Sequence, residues 1–173
     1  MIEIFYKKDG QIMVSQSETD LSSITYSDVV WIDLYVPSGE EKRGVEQYLG
    51  TTIQNRGQAE EIEISSRFYE TEKAIFAITS FLIPGPDEYN EETVSFILTD
   101  HSLTTLRECP LKSFTDLQRR LMAFPKMYES GHVAFLSILE QRVDLDADMV
   151  ELVSKEINQY NRKVSVGEDI SEE

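Results

Sequence analysis

The stretch HVAFLSILEQRVDLDADMVELVSKEINQY, His132 to Tyr160, decides the architecture of the C-terminal part of this chain. Leu136, Leu139, Val143, Val150, Val153, Ile157 and Tyr160 recur at alternating spacings of three and four, with Asp146 interrupting the row. That repeat marks one long helix with an apolar seam. The seam is expected to pack within the domain first and at an oligomer contact second. Beside it, Glu140, Asp144, Asp148 and Glu151 fall at i, i+4, i+8 and i+11, so four carboxylates share one flank. Like charges at i, i+4 repel by roughly 0.2–0.5 kcal/mol per pair, which a cation between them would relieve. An acidic helix flank is also the ordinary solvated face of a globular protein.

Outward from this helix, 173 residues suit one domain with a real hydrophobic core. The charge balance is unusual: 32 acidic residues against 16 basic ones give a formal charge of −16. Such a surface repels phosphate backbones, and no basic stripe offsets it. Nucleic acid and anionic membrane surfaces are therefore poor candidates as partners, while small cations and basic proteins remain. The single cysteine, Cys109, excludes an intramolecular disulfide and a multi-cysteine zinc site. At the end of a predicted strand it reads as a small buried hydrophobe. Met1 to Tyr6 alternates like a strand and is followed by Lys7 and Lys8, unlike a signal peptide. The longest apolar run, Ala74 to Ile83, is too short to span a bilayer.

Taken in order, Met1 to Tyr6 and Gln11 to Ser15 flank Asp9-Gly10, a tight hairpin signal. Thr19 to Tyr26 reads as loop or a short turn. Val29 to Val36 is apolar on both faces and suits a central strand, with Trp31 in the core. Ser38 and Glu41 form a capping box for a helix through Val45, Tyr48 and Leu49, stopped by Gly50. Gln58 to Ile62 resembles a short helix bearing Glu60 and Glu61. Arg67 to Glu70 begins a strand and Ala74 to Ile83 forms another, before an exposed acidic loop, Asp87 to Glu92. Val94 to Leu98 and Leu103 to Arg107 are strands joined through Asp100-His101. Pro110 suits the first turn of a helix whose face is Leu111, Phe114, Leu117, Leu121 and Phe124. Pro125 ends it, and Ser130 can cap the long helix.

The expected fold is α/β (α+β): a mixed parallel/antiparallel sheet sandwiched between helices, ending in the long C-terminal helix. Residues 1–173 form one domain, with 1–109 mostly sheet plus two helical segments, 110–163 helical, and 164–173 a tail.

Catalytic signatures are missing. No glycine cluster forms a phosphate-cradling loop, and neither G-x-S-x-G nor H-E-x-x-H occurs. His101 falls in a turn and His132 in a helix's first turn, neither with a second metal ligand at helical spacing. No enzyme is expected.

Four segments, WIDLYVPSGEE (31–41), AEEIEISSRFYE (59–70), VSFILTDHSLTTLRE (94–108) and HVAFLSILEQRVDLDADMVELVSKEI (132–157), together resemble the cytoplasmic domain of the CorA family of divalent-cation transporters. The resemblance implies the membrane-distal α/β/α domain of a homopentamer on the cytoplasmic side of the cell membrane. A stalk helix and two membrane helices would follow Glu173, so contact with the membrane would come only through those segments. It also implies regulatory Mg²⁺, with Co²⁺ or Zn²⁺ as variants, held by carboxylates between neighbouring protomers. By matching position these are Glu60 and Glu61, where the family commonly has Glu-Asp, and Glu140 and Asp144 on the long helix. Glu61 is one methylene longer than that Asp, and a partner carboxylate from the stalk would lie beyond Glu173. Two other readings stand beside this one: the cytoplasmic domain of a ZntB-like Zn²⁺ transporter, and a free-standing acidic protein-interaction domain.

Overall fold

A computed structural model of the chain describes residues 1–54, 67–85 and 89–166. They fall into two units, Met1–Ile138 and Leu139–Glu173, of which the first holds the sheet. Strands β1 (Ile2–Lys8) and β2 (Gln11–Ser15) form the expected hairpin. Asp9 and Gly10 take φ of 51° and 74°, as a two-residue turn with left-handed central residues requires. Strand β3 (Val29–Tyr35) follows, and then helix α1 (Gly39–Leu49). The capping box is complete: the Glu41 amide donates to Ser38 Oγ at 3.1 Å and the Ser38 amide donates to Glu41 Oε2 at 2.7 Å. Gly50 closes the helix with a φ of 67°.

Beyond these come β4 (Phe68–Glu70), β5 (Ala74–Pro84), β6 (Tyr89–Thr99) and β7 (Leu103–Arg107). Helix α2 (Lys112–Ala123) and the long helix α3 (Gly131–Val166) complete the described elements. The strands make one seven-stranded sheet in the order β2-β1-β3-β7-β6-β5-β4. Only the central pair, β3 with β7, is parallel; the other pairs are antiparallel. Both central strands are buried almost throughout, as strands covered on two faces must be.

Alternation along the strands splits the core in two. On one face Phe5, Trp31, Phe96 and Leu103 pack under Phe114, Leu117 and Leu121 of α2 and under Ala134 and Ile138 of α3. On the other, Ile4, Ile32, Leu34, Ile97 and Leu106 pack under Val45 of α1 and Leu21 of a short 3-10 turn. The sheet is thus sandwiched between helices, as its sequence implies.

Three local expectations change. Pro110 lies outside α2, because Leu111 occupies the N-cap and its carbonyl accepts from the amides of Phe114 and Thr115. Tyr89 to Glu92 is strand rather than loop, held in ladder with Leu82 to Pro84 and Phe81 of β5. The seam of α3 is not buried in this chain: Leu136, Val143, Val150, Ile157 and Tyr160 are exposed. The residues of the first two turns that enter the core are Ala134, Ser137 and Ile138, one face away.

Gly131 explains where α3 starts. Its amide donates to the His101 carbonyl at 2.8 Å. A Cβ there would stand 2.1 Å from the Leu103 backbone nitrogen. The first turn of the helix therefore sits directly on the β6–β7 turn, which admits no side chain.

Candidate functional site

Of the four carboxylates implied by resemblance, Glu60 and Glu61 lie outside the described residues. Glu140 and Asp144 are placed one turn apart on α3, and both are exposed. Residues four apart on a helix are neighbours, so the two carboxylates share one flank. Their acidic companions divide. Asp146 pairs with Arg142 at 3.3 Å and Glu151 with Lys155 at 2.7 Å, each across one turn. Asp148 stays exposed.

Among the described residues no group of three or more His, Cys, Asp or Glu side chains is arranged to hold a metal ion. Glu140 and Asp144 together offer two carboxylates and no nitrogen or sulfur. That set fits a hard ion such as Mg²⁺, which keeps several waters and takes one or two carboxylates from protein. It does not resemble a dedicated zinc centre, which would use nitrogen or sulfur ligands in a closed tetrahedron.

A second polar cluster escaped the sequence reading because its members are far apart along the chain. Asp33 of β3 and Arg107 of β7 meet through the parallel register, in which Asp33 lies beside Thr105 and Tyr35 beside Arg107. Arg107 Nη2 donates to Asp33 Oδ2 at 2.7 Å, and its Nε reaches both carboxylate oxygens at 3.2 Å. Thr105 Oγ1 donates to Asp33 Oδ1 at 2.9 Å and accepts from the Trp31 indole at 3.0 Å. The remaining guanidinium edge donates to the Cys109 carbonyl at 2.7 Å. The plane lies between the rings of Tyr35 and Phe114, 4.6 and 4.9 Å from their centroids. An acidic residue inside an otherwise apolar strand was the available signal. With its charges paired and its edges bonded beneath α2, this cluster holds the sheet together and offers a ligand nothing.

The histidines fall where expected, while Cys109, two residues beyond β7, is less buried than its reading as a small buried hydrophobe implied. His101 stands in the β6–β7 turn, edge-on to Tyr26 at 5.7 Å between ring centroids. His132 is exposed in the first turn of α3, and Cys109 is half-buried against the core. Among the described residues no helix is long and apolar enough to cross a membrane.

Comparison with known proteins places this architecture. Residues 26–172 match the family model described as "CorA-like Mg2+ transporter protein". The magnesium transport protein CorA of Wolinella succinogenes is 32% identical over 161 residues, covering 90% of this chain and 50% of that protein. The CorA protein of Haemophilus influenzae strain Rd is 26% identical over 169 residues, 96% of this chain and 52% of that protein. This chain thus spans about half the length of the curated relatives it matches. The soluble domain of CorA from Methanocaldococcus jannaschii shares the fold, with a TM-score of 0.68 at 17% identity, covering 98% of this chain and 66% of that one. The family is one of transporters rather than enzymes, in keeping with the missing catalytic motifs. On the match of residues 26–172, the chain belongs to the CorA-like Mg²⁺ transporter family.

Proposed function

We propose that this chain is the cytoplasmic regulatory domain of a Mg²⁺ transporter, sensing divalent cations to gate a pore carried by other segments. The observation that carries this reading is the family match over residues 26–172, on a fold that leaves Glu140 and Asp144 in solvent. In the assembled protein five copies form a ring. Glu60, Glu61, Glu140 and Asp144 stand at or near the seams between neighbours. Opposed carboxylates repel; a hydrated Mg²⁺ turns that repulsion into a bridge. Loss of the ion loosens the ring and favours the open state, because a ligand shifts an equilibrium by its differential affinity for the two states. Co²⁺ is accepted by the same oxygen donors.

The test is thermal unfolding and light scattering with and without millimolar Mg²⁺. A concentration tenfold above Kd should stabilise the folded protein by about 1.4 kcal/mol. The variant Glu60→Lys/Glu61→Lys should lose most of that response, and Glu140→Lys/Asp144→Lys part of it. An unchanged melting temperature and unchanged association in Mg²⁺, in the chain and in its assembled parent, would remove the sensing role. A response to Zn²⁺ alone would favour the ZntB-like reading instead. Salt-sensitive binding to a basic partner, with no response to any divalent ion, would favour an acidic interaction domain.

A further inference from the structure

A cleft of about 670 Å³ opens where the β1–β2 turn faces the 3-10 turn Pro125–Met127, and it gathers charges of both signs. Lys7, Lys8 and Lys126 line it, and so do Asp9, Asp28 and Glu129. Three of the chain's 16 basic residues thus stand in one place on a protein of net charge −16. Among the described residues no ion pair joins these lysines to these carboxylates. One ammonium is nevertheless fixed. Lys7 Nζ donates to the Glu129 carbonyl at 3.3 Å, tying the end of β1 to the turn before α3. An ammonium has three donors and no acceptor, so two N–H groups of Lys7 remain for a ligand. Lysines scattered over a surface need no ligand. These three converge on one cleft, and one of them is pinned at its wall.

The mixture of signs selects the ligand. A free polyanion would meet the lysines, but also three carboxylates and the field of an acidic protein. A bare cation would meet the carboxylates, but also three ammonium groups. Among the described residues, moreover, these carboxylates do not group into a metal site of their own. A ligand with both signs in one body satisfies both sets. Phosphate oxygens accept charge-assisted hydrogen bonds from the lysines. A Mg²⁺ carried on those phosphates keeps several waters and takes only one or two carboxylates from protein.

We propose that this cleft binds the Mg²⁺ complex of a di- or triphosphate. The site shares no residue with Glu60, Glu61, Glu140 and Asp144, and it reads magnesium in its phosphate-bound form rather than as the free ion. The test is calorimetric titration of pyrophosphate, and separately of ATP, into the 173-residue chain. The same millimolar free Mg²⁺ in cell and syringe keeps any site for the bare ion filled and silent. Both ligands should bind with a Kd below about 1 mM. Lys8→Met and Lys126→Met, at exposed positions where circular dichroism should not change, should each weaken binding about tenfold. Lys155→Met, on α3, should leave it unchanged. Chelating Mg²⁺ with EDTA should weaken it as well, because the free polyanion then faces the carboxylates. Equal affinity for the two ligands would support recognition of the phosphate chain alone, and tighter ATP would support an added contact to the nucleoside. Absence of binding by either complex would overturn the proposal. So would an affinity indifferent to both Lys8→Met and Lys126→Met, or one that is the same in EDTA.

Discussion

In the sheet, Asp33 is 1% exposed and is bound by a guanidinium and a hydroxyl. On the long helix, Glu140 and Asp144 have the same chemical group and stand in water. The difference follows from solvation. A carboxylate removed from water must find full compensation from the protein, since leaving it unpaired costs several kcal/mol. A carboxylate left in water already has its hydrogen bonds and stays available to a mobile cation. The buried acid consequently belongs to the stability of the fold, and the exposed pair contributes little to it. The same division separates the apolar residues: those of the two central strands are covered within the chain, while Leu136, Val143 and Val150 of the α3 seam are exposed.

Breaking one half of the buried pair should have the largest effect. Asp33→Ala or Arg107→Met leaves a charge alone in the core and should cost about 3–5 kcal/mol in urea unfolding. The double variant Asp33→Leu/Arg107→Met should recover most of that loss, because no lone charge remains. Next comes the junction between sheet and long helix. Gly131→Ala forces a Cβ onto the backbone of Ser102 and Leu103, and should lower stability by about 1–3 kcal/mol, the range for overpacking.

A smaller effect belongs to the start of α1. Ser38→Ala removes one arm of the capping box, at a cost of about 1 kcal/mol. Burial pushes the Glu41 carboxyl up, but the hydrogen bond from the Ser38 amide and the Met1 ammonium at 3.0 Å outweigh it and hold the group below its ordinary value. Because the folded value is the lower one, this contribution is complete above the ordinary carboxylate range and is lost as pH falls through the folded value. Acid titration of unfolding should therefore show a loss on the low-pH side that Glu41→Gln abolishes. The least effect on stability should come from the exposed pair. Asp144→Asn should change urea stability by no more than about 0.5 kcal/mol. It should nevertheless reduce the Mg²⁺-induced rise in melting temperature, which sharpens the contrast with Asp33.

Local chemistry was readable residue by residue. Asp9-Gly10, the Ser38–Glu41 box and Gly50 each act within a few positions of themselves, so their conformations follow from nearby atoms. The two-faced burial of Val29 to Tyr35 and the 3.5-residue repeat of α3 were equally plain, because periodicity is carried by the chain itself. The family and its fold could be recognised from four segments in order. The fate of the α3 seam was not legible, because the sequence specifies an apolar face without saying which element covers it.

By its order of residues alone, this chain determined most of its strands, the two caps of α1, its acidic flank and its place among CorA-like proteins, since all of these rest on local patterns. Only the tertiary structure decided that Asp33 would meet Arg107, 74 positions away, and that Gly131 would have to be bare. Both depend on which strands become neighbours and in what register, a choice made by the packing of the whole sheet and written in no single segment.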